Sequence, residues 1–431
     1  MNSFDYKSFI DAIWFERRDI VSDGYDKALN HIKGIIPEMQ IRGYKSGSEA
    51  WTWIIPEKWS VSKAFIKGGG GVLLDLEEHP LHVMSYSIPI SRKVSKEELF
   101  KNLYSRQDQP DLIPFEFSYY QKKWGFCIEH KRLSNFIYDE YEVCIDSKFS
   151  PGELKVGEIF IPGTSEKEVV IMAHLCHPYM VNDGLTGVAV LLKLAQHFLN
   201  RDKNNYSYRF LILPETIGSI AYLSHNEHLI GKMEFGMFLE MLGNDDKFSL
   251  QKSKQGSSLI DRASELCLKN SGHDFRIGEF CEVIVNDEKV LNGPGINVPS
   301  ISISRSKYWG RGECPFPEWH TSCDTPDIIN IEKLKDAEIL VKNILEMIEE
   351  NYYPKVKVRG PIFLSRFDLW VDWRLNRELN LKQEEVFDYL HHNGKSVIDI
   401  AYELDIPFLM LKDWLDKFHK HDLIKKNLHS D

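Results

Sequence analysis

Hydrophobic and polar positions follow two alternating patterns along residues 152–350. Short apolar runs are separated by segments whose apolar residues recur at helical spacing, as buried strands and amphipathic helices require. The predicted strands are Val169–Ala173, Tyr208–Leu213, Phe235–Leu239 and Pro299–Ser304. The predicted helices cover residues 184–200, 216–227, 257–270 and 331–350. Regular alternation of strands with helices predicts an α/β domain in which helices are layered on a sheet.

The pattern changes on the amino-terminal side of this region. Residues 3–35 have the spacing of two helices with a break at Ser22–Gly24, and residues 45–150 contain short β-rich runs between turn residues. These runs are Gly71–Leu76, His82–Tyr86 and Tyr141–Ile145. We therefore predict a discontinuous α/β domain, residues 1–44 and 151–353, interrupted by a β-rich unit at 45–150.

Two features of the β-rich unit leave its role open. Gly68–Gly71 lacks the following Lys-Ser/Thr of a phosphate loop, so we interpret it as a hairpin tip or a lid hinge. Trp51, Trp53 and Trp59 open the unit. They form either its core, the more common place for tryptophan, or part of a lid over a neighbouring site.

Residues 354–431 have the outline of a winged helix-turn-helix. Three short helices are predicted, followed by a small β wing: Val386–Leu390, Val397–Leu404, Leu409–Phe418 and His421–Lys426. The third helix carries Lys412, Asp413, Asp416 and Lys417, and this mixed charge attracts phosphate weakly. The sequence therefore favours packing or protein contact, including homo-oligomer formation, over binding of nucleic acid.

Composition limits the class of protein. The chain has 431 residues, enough for two to three domains, and 43% apolar with 27% charged residues is typical of a folded protein. A net charge of −11 disfavours broad binding to nucleic acid. Seven scattered cysteines without CxxC spacing indicate reduced thiols, and no secretory signal or apolar membrane span is found. The cytoplasm is the expected location, with no membrane partner.

Polar residues with metal-binding chemistry stand where the predicted strands end. His174, Glu215 and Glu240 each close an apolar run, Asp183 precedes a helix, and His320 lies in a polar loop. Each alone is commonly a helix cap, an ion-pair partner or a surface histidine. Several at one edge of an α/β sheet, where ligands bind, predict a site for a zinc-like ion.

Four motifs resemble the co-catalytic zinc aminopeptidases, in the same order along the chain. They are Asn182-Asp183-Gly184 with Gly187, Pro214-Glu215 with Gly218-Ser219, Glu240-Met-Leu-Gly243, and His320-Thr-x-x-Asp324-Thr. The resemblance covers roughly residues 150–350 and implies a three-layer α/β domain with a mixed sheet. The whole chain is similar to a bacterial aminopeptidase-like family with an inserted β-rich domain and a C-terminal winged helix. Its members are often described alongside polysaccharide biosynthesis.

The resemblance implies a role for each motif residue. His174 and Glu240 correspond to terminal ligands of one metal ion, Asp183 to the bridging carboxylate, and His320 to a ligand of a second ion. Glu215 corresponds to the general base that takes a proton from the attacking water.

Two positions depart from the family pattern. The family has a second acid, a metal ligand, where this chain has Thr216, and it has an aspartate where this chain has Cys176. Loss of the acid predicts one bound Zn²⁺ rather than two. Cys176 and His177 either bind the metal or have structural roles. In the second case Cys176 packs as a small hydrophobic residue and His177 caps the loop. Arg305, Tyr308 and Arg311 either bind a substrate carboxylate or stabilise an oxyanion, or belong to a structured surface loop.

These observations predict a zinc-dependent, aminopeptidase-like hydrolase of a small peptide or another amide. One alternative is a single-zinc enzyme of the same fold that does not cleave peptides, namely a cyclase, or an amidase or transferase in surface polysaccharide metabolism. A second alternative is a regulator without catalytic activity, in which the α/β domain senses a ligand.

Overall fold

The computed structural model describes residues 4–391 and 394–428. The helices are α1 (Tyr6–Ile13), α2 (Asp23–Ile35), α3 (Lys96–Lys101), α4 (Leu185–Leu199), α5 (Ile217–Ser224), α6 (Glu227–Ile230), α7 (Leu259–Lys269), α8 (Asp287–Leu291), α9 (Ile331–Glu350), α10 (Arg377–His391), α11 (Val397–Glu403) and α12 (Phe408–Lys420). None of these helices is both long enough and apolar enough to cross a membrane.

The strands form one large sheet and several small ones. They are β1 (Gln40–Lys45), β2 (Glu49–Ala50), β3 (Trp53–Ile54), β4 (Lys58–Gly68), β5 (Gly71–Asp75), β6 (Ile90–Ser95), β7 (Leu103–Tyr104), β8 (Phe126–Cys127), β9 (Glu140–Ser150), β10 (Glu153–Ile161), β11 (Glu168–His174), β12 (Ser207–Leu213), β13 (Met233–Leu239), β14 (Phe248–Gln251), β15 (Phe275–Gly278), β16 (Ser300–Ser304), β17 (Tyr353–Val356) and β18 (Ile424–Asn427). The large sheet has eight strands in the order β1-β10-β12-β11-β13-β16-β14-β15.

The large sheet is mixed, as predicted. Its central strands β12, β11, β13 and β16 are parallel. Strands β1 and β10 pair antiparallel with their neighbours, and β14 is antiparallel to β16 but parallel to the edge strand β15. All residues of β11 and β12 are buried. Parallel strands covered on both faces appear in a sequence as continuous apolar runs, which explains why these strands could be recognised.

The end of β11 is the point where the direction of the chain along the sheet reverses. The chain passes from β11 to β12 on one side, and then from β12 past β11 to β13 on the other. Because such crossovers are right-handed, α4 and α5 lie on opposite faces of the sheet. The crevice at such a reversal is the usual ligand site of an open α/β sheet, and His174 ends β11 there.

The first two helices pack on the α/β layers. The two helices are separated by residues 14–22, so the predicted break at Ser22–Gly24 lies too late in the chain. Helix α2 already begins at Asp23, and the Ser22 hydroxyl caps it by accepting the Tyr25 N–H. Gly24 is required at its position, because a Cβ there would lie 2.2 Å from the Arg17 carbonyl oxygen. The segment between α1 and α2, which contains Arg18, is thereby held against the domain.

The β-rich part contains a four-stranded sheet in the order β5-β4-β9-β6. The glycine run is the turn of the β4–β5 hairpin, as one of its two interpretations predicted, with φ of +57° at Gly69 and +85° at Gly70. His82–Tyr86 is not a strand, and that prediction was wrong. Pro80 begins a short 3-10 turn, and Tyr86 has a φ of +64°, which interrupts an extended chain.

The last part of the chain combines three helices with a two-stranded ribbon. Strand β18 pairs antiparallel with β17, which precedes the helices, and α10 begins well before the predicted Val386–Leu390. Its early turns have too polar a sequence to show helical periodicity. The contacts of this unit with α7 of the α/β region include hydrogen bonds from Arg262 to Asp399 at 2.5 Å and from Tyr402 to Glu265 at 3.0 Å.

Candidate metal centre

Asp183 lies beside His174 because the chain turns sharply at Gly184. Gly184 has a φ of +115°, and a Cβ there would lie 2.9 Å from the His174 ring and 3.0 Å from its carbonyl oxygen. Only glycine permits this approach without displacing the ring. The end of β11 and the start of α4 therefore converge on one point, as the sequence pattern predicted.

The two carboxylate oxygens of Asp183 face two different histidines. Oδ1 lies 3.0 Å from Nε2 of His174, and Oδ2 lies 3.1 Å from Nε2 of His320. Ligand atoms that share a tetrahedral zinc ion at about 2.0–2.2 Å lie roughly 3.3–3.5 Å apart. The geometry is therefore close to that of a carboxylate placed between two metal positions.

Several buried polar atoms at this point have no hydrogen-bond partner among the described residues. They include Nδ1 of His174 and Nδ1 of His177. Nε2 of His174 and Oδ1 of Asp183, which lie 3.0 Å apart, have no hydrogen-bond partner other than each other. Unpaired buried polar atoms are costly and uncommon, so each requires an explanation. Neutral imidazole and ionised carboxylate are zinc ligands, and a zinc ion would pair with these donor atoms.

Glu215 faces the two histidines of the loop. Its Oε2 lies 3.4 Å from Nε2 of His177 and 3.8 Å from Nδ1 of His174, and 32% of its side chain remains exposed. The surrounding protein raises the pKa of this carboxyl by desolvation. Its backbone N–H donates to Sγ of Cys176 at 3.1 Å, which holds the end of β12 against the loop. An accessible carboxylate with a raised pKa is suited to accept a proton from water.

Glu240 is buried next to a second group of acids. Its Oε2 accepts from Nδ2 of Asn286 at 2.5 Å, and desolvation followed by the charge of Glu288 raises its pKa. Two compact groups among the described residues have the spacing to hold an ion, and Glu240 belongs to neither. They are His174, His177 and Asp183, and Cys176, His177 and Glu215.

Asp287 is a buried acid that sequence reasoning did not select. It accepts from the Thr216 N–H at 3.0 Å and from the Ser219 hydroxyl at 2.5 Å, and burial raises its pKa to about 7. Thr216 itself has a φ of +59°, a strained conformation for a β-branched residue. The signal was present, because Asn286-Asp-Glu288 follows the apolar run Val283-Ile-Val285 in the same way as the selected acids.

Two buried charges hold the loop between β11 and α4. The Arg18 guanidinium donates to the carbonyls of Leu175, His177 and Met180 at 3.0, 2.5 and 2.7 Å. The Asp324 carboxylate accepts the N–H groups of Val181, Asn182 and Asp183 at 3.3, 2.7 and 2.9 Å. Burial raises the pKa of Asp324 to about 7. Asp324 belongs to a recognised motif, whereas Arg18, in the segment between α1 and α2, has the sequence signature of an exposed residue.

The β-rich part reaches the site through Phe115. Its ring meets His177 and His320 edge-on, with centroids 5.7 and 5.4 Å apart, and its N–H donates to the His320 carbonyl at 2.8 Å. Trp59 is buried in a core, whereas Trp51 and Trp53 are 39% and 38% exposed. Phe115, which sequence reasoning did not select, is thus a residue of this unit that contacts the candidate ligands.

Arg305, Tyr308 and Arg311 have partners outside the two compact groups. Arg305 is buried over the Phe248 ring, and burial lowers its pKa to about 10. Tyr308 donates to the Ile277 carbonyl at 3.0 Å, and Arg311 pairs with Glu282 at 2.9 Å. Their substrate-binding role stays a prediction.

Comparisons with known proteins add the family context. A family model described as "Domain of unknown function (DUF4910)" matches residues 7–351. A Clostridium acetobutylicum protein, provisionally named a polysaccharide biosynthesis protein with an aminopeptidase-like domain, is 32% identical, covering 95% of this chain and 93% of its own.

Solved structures show the same fold. A crystal structure from Clostridium acetobutylicum, provisionally described as a peptidase, has a TM-score of 0.82 at 30% identity and covers 98% of this chain and 96% of its own. A zinc aminopeptidase from Bacillus subtilis has a TM-score of 0.61 at 15% identity, covering 79% of this chain and 93% of its own. At this low identity, the likeness to the zinc aminopeptidase shows the fold alone.

Proposed function

The chain belongs to the family described as "Domain of unknown function (DUF4910)" and has the zinc-aminopeptidase fold, and we propose that it is a zinc-dependent hydrolase of an amide or peptide bond. The observation that carries the proposal is the position of Asp183, whose two oxygens face His174 and His320 at 3.0 and 3.1 Å. Nδ1 of His174 and Nδ1 of His177 are buried without a hydrogen-bond partner among the described residues, and a bound ion would stabilise such nitrogens.

His174, Asp183 and Glu240 would hold one firmly retained zinc, and His320, on the other oxygen of Asp183, would face a second, weaker position. Bound zinc would supply a Lewis acid that polarises the scissile carbonyl and lowers the pKa of the attacking water. Thr216, a neutral residue where the resembling enzymes have an acid, is the reason to propose one tightly held ion rather than two.

Glu215 would move the proton. Its carboxylate stands at the accessible edge of the site, with a raised pKa, and accepts a proton from the attacking water before returning it to the leaving amine. Cys176, through the Glu215 N–H, keeps that carboxylate in place. Phe115 covers the ring edges of His177 and His320 and restricts water on that side.

Replacement of Glu215 by glutamine tests the assignment. The expected result is normal zinc content with hydrolysis of aminoacyl amides slowed about 10²–10⁴-fold, as for a lost general base. Glu142→Gln, on an exposed position of β9, is the control and should leave both unchanged. If Glu215→Gln lost the metal instead, Glu215 would be a ligand and the proposed base would be wrong.

An amide-bearing sugar is the second candidate substrate class. The observation in its favour is the relative named for polysaccharide biosynthesis, which matches nearly the whole chain. A substrate panel should therefore contain N-acyl amino sugars beside aminoacyl amides. Deacylation of the sugars without turnover of the aminoacyl amides would replace the aminopeptidase assignment with that of a tailoring amidase.

A further inference from the structure

The Oδ2 side of Asp183 lacks one of the protein ligands that the resembling enzymes have there. On the Oδ2 side stand Asp183 and His320, and the resembling enzymes supply a further acid at the position of Thr216. Thr216 is neutral, and its N–H is bonded to Asp287. A hydroxyl binds a divalent ion poorly compared with a carboxylate, so this position needs another donor if it is to hold metal.

His177 is a side chain on this side of Asp183 that is able to supply that donor. Its Nε2 is 3.9 Å from Oδ2 of Asp183, the same oxygen that faces His320. Its ring centroid lies 5.0 Å from that of His320 and 4.7 Å from that of His174. Only 3% of its surface is exposed, and it belongs to both compact groups of ligand atoms among the described residues.

The surroundings of His177 favour a ligand over a packing residue. Nδ1 has no hydrogen-bond partner within residues 4–391 and 394–428, so packing alone leaves a buried polar atom unpaired. Its carbonyl is held by Arg18 at 2.5 Å, and the same guanidinium holds the Met180 carbonyl at 2.7 Å. The backbone that carries the imidazole is thus held in place without an ion, which reduces the cost of ordering a ligand.

We propose that His177 is a metal ligand, completing with His320 and Oδ2 of Asp183 the position that Thr216 leaves deficient. This proposal shares with the proposed function only the assumption that the site binds a zinc-like ion. It does not require that the protein hydrolyses an amide. The site then binds one ion firmly and a second, weaker one through His177. Imidazole is a common zinc ligand, so the exchange of an acid for a histidine preserves metal binding while removing one negative charge.

The test is a titration of metal-free protein with Zn²⁺ or Co²⁺. Calorimetry measures binding of either ion, and the visible spectrum measures binding of cobalt. His177→Phe keeps a ring against Phe115 and removes both nitrogens. We expect it to retain the tighter equivalent and to weaken the other at least 10-fold, as His320→Phe should. Thr216→Val, which keeps the β-branched shape, is the matched control. It should leave the affinity for both metal equivalents unchanged.

Two outcomes decide the matter. Unchanged binding in His177→Phe would overturn the proposal, whatever the stoichiometry of the wild type. A loss shared by His177→Phe and His320→Phe, with Thr216→Val unaffected, would support it. The melting temperature of the metal-free variant checks folding, and His177→Leu serves if the phenylalanine does not fit. An inactive protein with histidine-dependent metal binding would refute only the proposed function.

Discussion

Arg18 offers a stringent test of how the site is held. Its guanidinium is fully buried and donates five hydrogen bonds, all to backbone carbonyls. Three acceptors belong to the loop that carries His177, and two, Ile13 and Trp14, belong to the end of α1 at 2.8 and 2.7 Å. The change to test is Arg18→Met, which keeps much of the volume and removes every donor.

The expected loss of stability follows from two opposing effects. Burial lowers the pKa of Arg18 from its ordinary 12.5 to about 10, which corresponds to a cost of about 3 kcal/mol for keeping it charged. Five hydrogen bonds from a charged donor contribute about 1.5 kcal/mol each, roughly 7 kcal/mol together. The difference, about 4 kcal/mol, is the expected decrease in the free energy of unfolding, within the range for breaking a buried charge interaction.

The assay combines stability with metal affinity. Urea unfolding of metal-free protein, followed by circular dichroism, measures the first, and competition with a chromogenic chelator measures the second. Because Arg18 positions the loop that carries His177, the zinc affinity of Arg18→Met should fall about 10–100-fold. Losses of this size are typical when a residue that hydrogen-bonds to a metal ligand is removed.

A second buried arginine provides the control. Arg209 on β12 pairs with Glu168 at 2.7 Å and with Glu158, away from the loop. Arg209→Met should cost similar stability but leave zinc affinity unchanged. If Arg18→Met weakened zinc no more than Arg209→Met, or cost less than about 1 kcal/mol, the positioning role of Arg18 would be refuted.

Three further outcomes are expected. Asp183→Ala should abolish the rise in melting temperature that zinc gives the wild type, because both metal positions use its carboxylate; a retained rise contradicts this. Burial raises the pKa of Asp324 to about 7, so its contribution to metal-free stability, present below pH 4, decreases as pH rises to 7. Asp324→Asn should remove that slope, up to about 4 kcal/mol, in unfolding measured from pH 4 to 8. Residues 354–431 in the full chain should show no sequence-selective DNA binding above about 200 mM salt in a gel shift.

The sequence was most informative where chain order and hydrophobicity act together. The strands of the parallel centre are continuous apolar runs, so their ends, and with them His174, Glu215 and Glu240, were recognisable. Asp183 and His320 were selected for the same reason, as polar residues next to predicted elements. Predictions were poorer where the chain is irregular: His82–Tyr86 has strand-like residues, but Pro80 and the positive φ of Tyr86 prevent a strand.

What the sequence alone determined is the order of the elements and the kind of chemistry at the sheet edge. The polarity of parallel strands brings their carboxyl ends to one edge whatever the side-chain details. Only the tertiary structure decided that His177 turns toward Asp183, that Phe115 from the β-rich part covers the histidines, and that Arg18 is buried. These features depend on contacts between residues far apart in the chain. Arg18 is recognised by backbone carbonyls, which every residue possesses, so no side-chain pattern could have revealed its partners.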